Sequence, residues 1–343
     1  MTEGETRHAE SPRSSINRIM RMNYILMAII VVMLAFIIYI LLGYYGRTPA
    51  TTTTATTVPP VPANVSESGF GHTIAGINRP FNSTELSIIN GAPNSYYEIA
   101  AKMLLNGTLT NYVWNRPVNS STTTNGFVVG GRPSVVYIGA LSCIYCGENR
   151  WAMALALSRF GSFGSLYYGY SSFGDGDLPT IYWEPYNYTT SAGVAYGNGY
   201  SSNVVNFISA DYESPVTQNF QLQPMGYFIS HAPNGTVANA IEFMNETRMF
   251  QGTPFTLWGN YLMPGADAVV FGNYMPKNST LPLEYMTHSQ VLGQLAGFDS
   301  QFAYSEYAAA DVYAAFVCAS TANRPQFCSL PSMPALESLL GLS

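Results

Sequence analysis

Residues 134–160, SVVYIGALSCIYCGENRWAMALALSRF, place two cysteines between a predicted strand and a predicted helix. Residues 134–140 predict a buried strand, and apolar residues near a 3.6-residue period predict a helix from about Gly147 to Phe160. Between them, Cys143 and Cys146 have the spacing that lets two sulfurs reach disulfide distance. The unpaired amides of a first helical turn stabilise a thiolate. The pattern therefore favours thiol–disulfide exchange.

The two cysteines have different expected roles. Cys143 precedes the helix and is the candidate nucleophile, exposed to a substrate, while Cys146 lies one turn inside and is the candidate resolving thiol. Three alternatives remain open: a purely structural disulfide, half of a metal site, and a pair of unreactive buried cysteines. A metal site lacks a second ligand pair, and the histidines beyond the apolar run described next show no ligand spacing: His72, His231 and His288. We expect no metal and no other cofactor.

An uncharged run of 22 residues, Tyr24 to Tyr45, predicts one transmembrane helix. The alternative, a cleaved signal peptide, has an apolar core of only about 7 to 15 residues. Positive residues stay on the cytoplasmic side of a membrane, and only Arg47 follows the run closely. Four arginines precede it: Arg7, Arg13, Arg18 and Arg21. We expect a single-pass protein of the cell membrane, with its N-terminus cytoplasmic and its C-terminal domain extracellular.

The chain accordingly divides into four parts. Residues 1–23 are a polar cytoplasmic tail, residues 24–45 the transmembrane helix, and residues 46–68 a Thr/Pro-rich stalk that cannot build a core. Residues 69–343 are the extracytoplasmic domain. All four cysteines lie beyond the span, and an even number suits pairing in an oxidising compartment.

Eight Asn-x-Ser/Thr sequons also lie beyond the span, which predicts a surface glycoprotein. The candidate asparagines are Asn64, Asn82, Asn106, Asn119, Asn187, Asn234, Asn245 and Asn278. Charged residues make up only 10% of the chain, against about 25% in ordinary soluble proteins. Two explanations stay open: an external medium of low pH, where carboxylates protonate, or glycans over a neutral surface. Because the chain has no basic patch beyond its N-terminal tail, we expect no nucleic-acid partner.

Other elements follow from local patterns. Asn94 is expected to cap a helix, and residues 172–200 show no clear period and read as an inserted loop. Glu148 and Arg150 are expected to be solvated, the alternative being that they tune Cys143, whereas Trp151 and Phe160 are expected in the core. The predicted helices span residues 95–105, 237–249, 289–296 and 304–320, and the predicted strands span residues 127–129, 165–171, 203–209, 254–258 and 261–263.

Cys318 and Cys328 bracket a turn near the C-terminus, and we expect them to form a structural disulfide. Closing a loop of about ten residues stabilises a fold by about 2.5 to 3 kcal/mol on the chain-entropy estimate. The alternative is a second redox pair that relays electrons to the first, although the spacing is not that of a reactive motif.

The pattern of a strand, Cys143-x-x-Cys146, a helix and Thr253-Pro254 before a hairpin resembles the thioredoxin superfamily, in the broad manner of its DsbA and protein disulfide isomerase branches. The resemblance implies an α/β, thioredoxin-like fold with insertions, preceded by the N-terminal transmembrane helix. It also implies that Pro254 is cis and that Thr253 offers backbone hydrogen bonds to a bound peptide. The alternative is a trans-proline at a strand edge. Unlike familiar relatives, this chain has Ile-Tyr between the cysteines.

A narrower resemblance is to a family of single-span membrane proteins from thermoacidophilic archaea of the Sulfolobus type. It rests on Tyr137-Ile138-Gly139-Ala140, Cys143-x-Tyr145-Cys146, Arg150-Trp151 and the ALSRFG sequence of residues 156–161. The terminal Cys318 and Cys328 also fit that family. This resemblance implies the thioredoxin-like fold but no particular activity.

Three functions remain open. The first is a membrane-anchored extracytoplasmic thiol–disulfide oxidoreductase acting on thiols and disulfides of surface proteins, with a membrane redox partner or surface complex beside it. The second is a non-catalytic binding or assembly subunit in which the thiols form a permanent disulfide. The third is a copper-handling protein that uses the same thiol pair.

Overall fold

The structure is a computed structural model that describes residues 33, 76–109, 122–141, 143–171, 178–185, 194–212, 225–250, 252–263 and 286–342. The chain separates into two units, residues 1–57 and 58–343. The predicted tail and stalk lie outside the described residues, as does the predicted span except for Met33, which is helical. Within the described ranges, no helix is long and apolar enough to cross a membrane.

The described part of the second unit mixes helices and strands. Its helices are α1 (Ser83–Asn90), α2 (Asn94–Leu105), α3 (Ile144–Leu157), α4 (Met225–His231), α5 (Gly235–Glu246), α6 (His288–Gly297), α7 (Gln301–Ser320) and α8 (Met333–Leu339), with a 3₁₀ turn at Gln326–Ser329. Its strands are β1 (Thr122–Thr123), β2 (Val128–Val129), β3 (Arg132–Ala140), β4 (Ser162–Phe163), β5 (Tyr167–Tyr170), β6 (Pro179–Tyr182), β7 (Val194–Tyr196), β8 (Tyr200–Ser201), β9 (Asn206–Tyr212), β10 (Phe255–Trp258) and β11 (Tyr261–Met263).

Strand β3 is central to a seven-stranded sheet. The strand order is β1-β11-β10-β3-β9-β7, and β2 pairs with the start of β3. Strand β9 runs parallel to β3, with Val136 opposite Ile208, while β10 runs antiparallel on the other side of β3. A parallel neighbour needs a crossover connection, and α3 lies within the connection from β3 to β9.

Side chains of β3 alternate between two apolar cores, as the period of a strand requires. Val135 and Tyr137 join the core formed with α3 and α7, whereas Val136 and Ile138 join the core formed with α4 and α5. Helices therefore pack on both faces of the sheet, and the near-continuous apolar sequence of β3 is explained because both of its faces are buried.

The structure confirms several predicted elements and corrects others. The hairpin of β10 and β11 and the helices α6 and α7 form where the sequence predicts them. Helix α3 begins at Ile144, not near Gly147, because Cys143 is its N-cap. Pro93, not Asn94, precedes the first residue of α2, and its fixed φ suits that position.

The segment 172–200 was expected to be a loop, and that expectation was wrong for its described residues. It contains β6 and β7, and β8 begins at its end. Strand β5 forms within the predicted strand 165–171 and pairs with β6 in a separate two-stranded sheet. Tyrosine-rich strands this short carry too few residues to show a period. The seven-residue helix α4 was missed for the same reason.

Cys318 and Cys328 form the predicted disulfide, with a Cα–Cα distance of 5.5 Å. The bond ties the end of α7 to the 3₁₀ turn. The described sequon asparagines are exposed, so they are accessible to modification: Asn82, Asn106, Asn234 and Asn245. The other four lie outside the described residues: Asn64, Asn119, Asn187 and Asn278.

His288, the first residue of α6, is a buried titratable group. Its Nε2 atom lies 2.9 Å from the Gly169 carbonyl oxygen and 2.8 Å from the Thr180 carbonyl oxygen. The ring also stacks on Tyr168 at a centroid distance of 4.0 Å. Burial lowers the pKa of His288 from 6.5 to about 4, so the neutral ring joins α6 to the β5–β6 hairpin.

We predict that this histidine makes the fold sensitive to acid. Because the folded-state pKa lies below the unfolded value, its contribution to stability is present above pH 6.5 and is lost as the pH falls towards 4. The free energy of unfolding should fall by about 3 kcal/mol more in the native chain than in a His288→Gln variant over that range. Urea denaturation at several pH values measures the difference.

A His231→Gln variant is the matched control because His231 is exposed. It should follow the native pH dependence. Parallel curves for the native chain and the His288→Gln variant would show that the buried ring does not titrate with folding.

Candidate functional site

Cys143 is fixed at the junction of β3 and α3. It is the N-cap of α3, and its Sγ accepts a hydrogen bond from the Cys146 amide at 3.4 Å. The N-terminal end of a helix carries partial positive charge, which favours an anion at this position. The chain after β3 thus delivers one sulfur to the place where a thiolate is best stabilised.

Both cysteines are free thiols and both are buried. The predicted exposure of Cys143 was wrong, because only 7% of its surface is accessible. Tyr145, between the two cysteines, is 41% exposed and forms the surface beside the site. Cys143 packs with apolar residues of α4 and α5, so only a small part of its surface contacts water.

The main chain of Thr253, the residue before Pro254, lies against the first cysteine. The peptide bond between them is cis. The Cys143 Sγ lies 3.5 Å from the Thr253 carbonyl oxygen, although the two residues are 110 positions apart. Pro254 precedes β10, which pairs with β3, so the sheet brings this peptide bond to the cysteines.

A buried ion pair lies beneath the thiols: for Arg150 a role in tuning Cys143 was only the alternative to solvation, and Asp211 was not predicted to belong to the site. Arg150 Nη2 lies 2.7 Å from Asp211 Oδ1, and both side chains are almost fully buried. The same nitrogen donates to the Ala140 carbonyl at 3.0 Å. Ala140 also directs its amide at Cys146 Sγ, at 3.5 Å. The last residue of β3 therefore connects the resolving thiol to the guanidinium.

Tyr137 completes this network. Its hydroxyl donates to Asp211 Oδ1 at 3.0 Å, while the Arg150 guanidinium lies 5.7 Å from the Tyr137 ring centroid. Gly139 leaves the room for these contacts: a β-carbon there would overlap the Tyr137 hydroxyl and lie 2.6 Å from Asp211 Oδ1. Only glycine fits at position 139 beside the carboxylate.

The pKa values of the two thiols are shifted in opposite directions. The hydrogen bond with the Cys146 thiol lowers the pKa of Cys143, and the Cys146 amide and the Arg150 charge act in the same direction against burial. Burial raises the pKa of Cys146 well above its usual value, and the neighbouring Cys143 adds to that increase. Such an asymmetry gives one thiol that ionises easily and one that keeps its proton.

Arg150 keeps its charge despite complete burial. Desolvation lowers its pKa, but the Asp211 carboxylate outweighs this effect and raises the pKa above its usual value.

The expectation that Arg150 is solvated was wrong, and the same expectation for Glu148 was also wrong, because both side chains are buried. Arg150 follows Cys146 by four residues, which places them on the same helix face; that spacing was the available signal. Trp151 and Phe160 lie in the core, as predicted.

Metal-binding geometry is missing from the described residues: no group of three or more His, Cys, Asp or Glu side chains is placed to hold an ion. His231 contacts Tyr227 on its own helix, and His288 contacts main-chain oxygens of the β5–β6 hairpin. His72 lies outside the described residues.

The fold and the site together define a mixed α/β domain with a CxxC pair at a helix N-terminus and a cis-proline against its first sulfur. A family model described as a domain of unknown function, DUF929, matches residues 120–318, which is more than half of the chain. The protein belongs to this family. No curated protein and no solved structure matches the chain.

We predict that Arg150 and Asp211 are energetically coupled. Arg150→Gln should lower the free energy of unfolding by about 3 to 5 kcal/mol, because it leaves the Asp211 charge buried and uncompensated. In an Asp211→Asn background, the same change should cost much less. A double-mutant cycle by denaturant unfolding measures the coupling.

The matched control is Arg248→Gln, because Arg248 is exposed, and it should change stability by no more than about 0.5 kcal/mol. Additive effects of the Arg150 and Asp211 substitutions would contradict the coupling.

Proposed function

We propose that this protein is a membrane-anchored, extracytoplasmic thiol–disulfide oxidoreductase with a thioredoxin-like fold. The observation that carries the proposal is the position of Cys143 Sγ, which contacts the Cys146 amide at the start of α3 and the carbonyl before a cis-proline. The order of elements supports the fold: β3-α3-β9, then helices, the β10–β11 hairpin and further helices. The membrane anchor rests on the apolar run of residues 24–45.

In the reductive direction, the Cys143 thiolate attacks one sulfur of a substrate disulfide. A bond forms between Cys143 and that sulfur, the substrate bond breaks, and the leaving sulfur takes up a proton. Cys146 then loses its proton to the solvent and attacks the Cys143 sulfur, which releases the second substrate sulfur as a thiolate that is then protonated. The substrate gains two electrons and two protons, and the protein gains a Cys143–Cys146 disulfide. The reverse sequence introduces a disulfide into a substrate.

The pKa asymmetry of the two thiols supports this order of steps. Cys143 has the lowered pKa and lies at the surface edge, so it is the thiol that reacts first. Cys146 is fully buried and protonated until the mixed disulfide forms. Arg150 lies on the same helix face as Cys146, and its charge favours both thiolates.

Recognition of a protein substrate would fall beside Thr253 and Tyr145. Extended peptides bind through main-chain hydrogen bonds, and the main chain at Thr253 lies directly against the reacting sulfur. The exposed ring of Tyr145 offers apolar contact next to it. A substrate disulfide entering here would lie across the edge where Cys143 is accessible.

The second candidate is a non-catalytic surface or assembly subunit with a structural Cys143–Cys146 disulfide. The observation that favours it is the burial of Cys143, because a reactive thiol needs access. The two candidates differ in one measurable property, namely whether Cys143 forms a mixed disulfide while the chain is folded.

We expect a Cys146→Ser variant of the full chain to accumulate a mixed disulfide with oxidised glutathione at Cys143, since the resolving thiol is gone. A Cys143→Ser variant should form no adduct at Cys146, because that thiol is buried and protonated. Mass spectrometry of peptides from the folded protein locates the adduct. If the Cys146→Ser variant reacts only after addition of denaturant, the oxidoreductase proposal fails and the structural alternative is favoured.

A further inference from the structure

A cleft of about 290 Å³ opens at the end of the sheet opposite the thiols. It is lined by the start of β3, the turn before β9, and the loop between Cys318 and Cys328. Strand β3 has nine residues, so at about 3.3 Å per residue the two ends of the strand lie roughly 26 to 30 Å apart. The cleft is therefore separate from the cysteine site.

Two arginines line this cleft, Arg132 from β3 and Arg324 from the disulfide loop. No carboxylate among the described residues lines it, and the described part of the chain shows no ion pair of Arg132 or Arg324. The described lining therefore gives the cleft a positive charge.

Within the described residues, each of the two guanidinium groups donates one hydrogen bond to a main-chain carbonyl and has other donors left. Arg132 Nη1 donates to the Ser202 carbonyl, and Arg324 Nε donates to the Thr321 carbonyl at 3.0 Å. A guanidinium has five N–H donors in a planar fork, so donors remain on both side chains. Asn203 adds an amide to the same cleft.

The loop that carries Arg324 is built rigidly. The Cys318–Cys328 disulfide closes it, and the Asn323 amide donates to Glu337 Oε2 on α8 at 3.2 Å. Ala322 and Asn323 both have positive φ, 53° and 55°. That left-handed conformation is uncommon for a residue such as alanine and fixes the direction of the turn. The turn directs Arg324 towards the cleft.

We propose that this cleft binds a small ligand bearing a phosphate or sulfate group. Two planar guanidinium forks match the oxygen geometry of such a group, and their combined charge suits a dianion. The volume lies at the lower end of the range for small-molecule sites, so the ligand is either the free anion or a compact molecule that carries it. Val204 and Pro325 would contact its apolar part.

The test is isothermal titration calorimetry of the full chain with sodium phosphate, sodium sulfate and glucose 6-phosphate, each at an ionic strength matched with sodium chloride. Saturable binding of any of them supports the proposal. Tighter binding of glucose 6-phosphate than of phosphate indicates a larger ligand, and the reverse order indicates the free anion. No saturable binding of all three would overturn the proposal.

Substitutions of the two arginines show whether the measured binding takes place in this cleft. Arg132→Gln and Arg324→Gln should each weaken binding by at least about tenfold, since each removes charged hydrogen bonds to the anion. Arg324→Lys should lose less, because it keeps the charge but not the fork. Arg248→Gln is the matched control and should bind as the native chain does. Thermal unfolding checks that each variant is folded, and an equal loss in Arg248→Gln would overturn the assignment.

Discussion

The buried ion pair of Arg150 and Asp211 is the interaction on which the rest of the site depends. Two charges removed from water need partners, and here β3 and β9 supply them for Arg150 Nη2 and Asp211 Oδ1. Within the described part of the chain, Arg150 Nε and Nη1 have no hydrogen-bond partner. The ion pair connects the helix that carries both thiols to the parallel strand beside β3. Because the ion pair lies under Cys146, it both holds α3 against the sheet and places a positive charge near the two sulfurs.

Much of the central fold could be predicted because its elements are long or strongly patterned. The strand before Cys143, the helix after it, the β10–β11 hairpin and α7 all carry clear signals in the sequence. The short strands β6 to β8 and the helix α4 could not be predicted, since segments of two to seven residues show no reliable period, and the pairing partner of the predicted strand β5 could not be predicted either. Their positions are determined by tertiary pairing, such as that of β5 with β6.

The residues of the site likewise divide into those that the sequence predicts and those that it does not. Cys143, Cys146 and the Thr253–Pro254 bond follow from local motifs and from the order of elements. Arg150 and Asp211 were missed because a charged residue on a helix is usually solvated, and its partner lies 61 positions away on another strand. The burial of Cys143 was missed as well, because it depends on packing against α4 and α5, which no local pattern encodes.

Disulfide exchange by Cys143 and Cys146 in the folded protein can be measured by a redox titration of the full chain in glutathione buffers, with alkylation and mass spectrometry locating each thiol. We expect reversible oxidation of Cys143 and Cys146 without unfolding, at a potential distinct from that of Cys318 and Cys328. If the first pair reacts only after unfolding, the two cysteines are a structural feature and the protein is not an oxidoreductase.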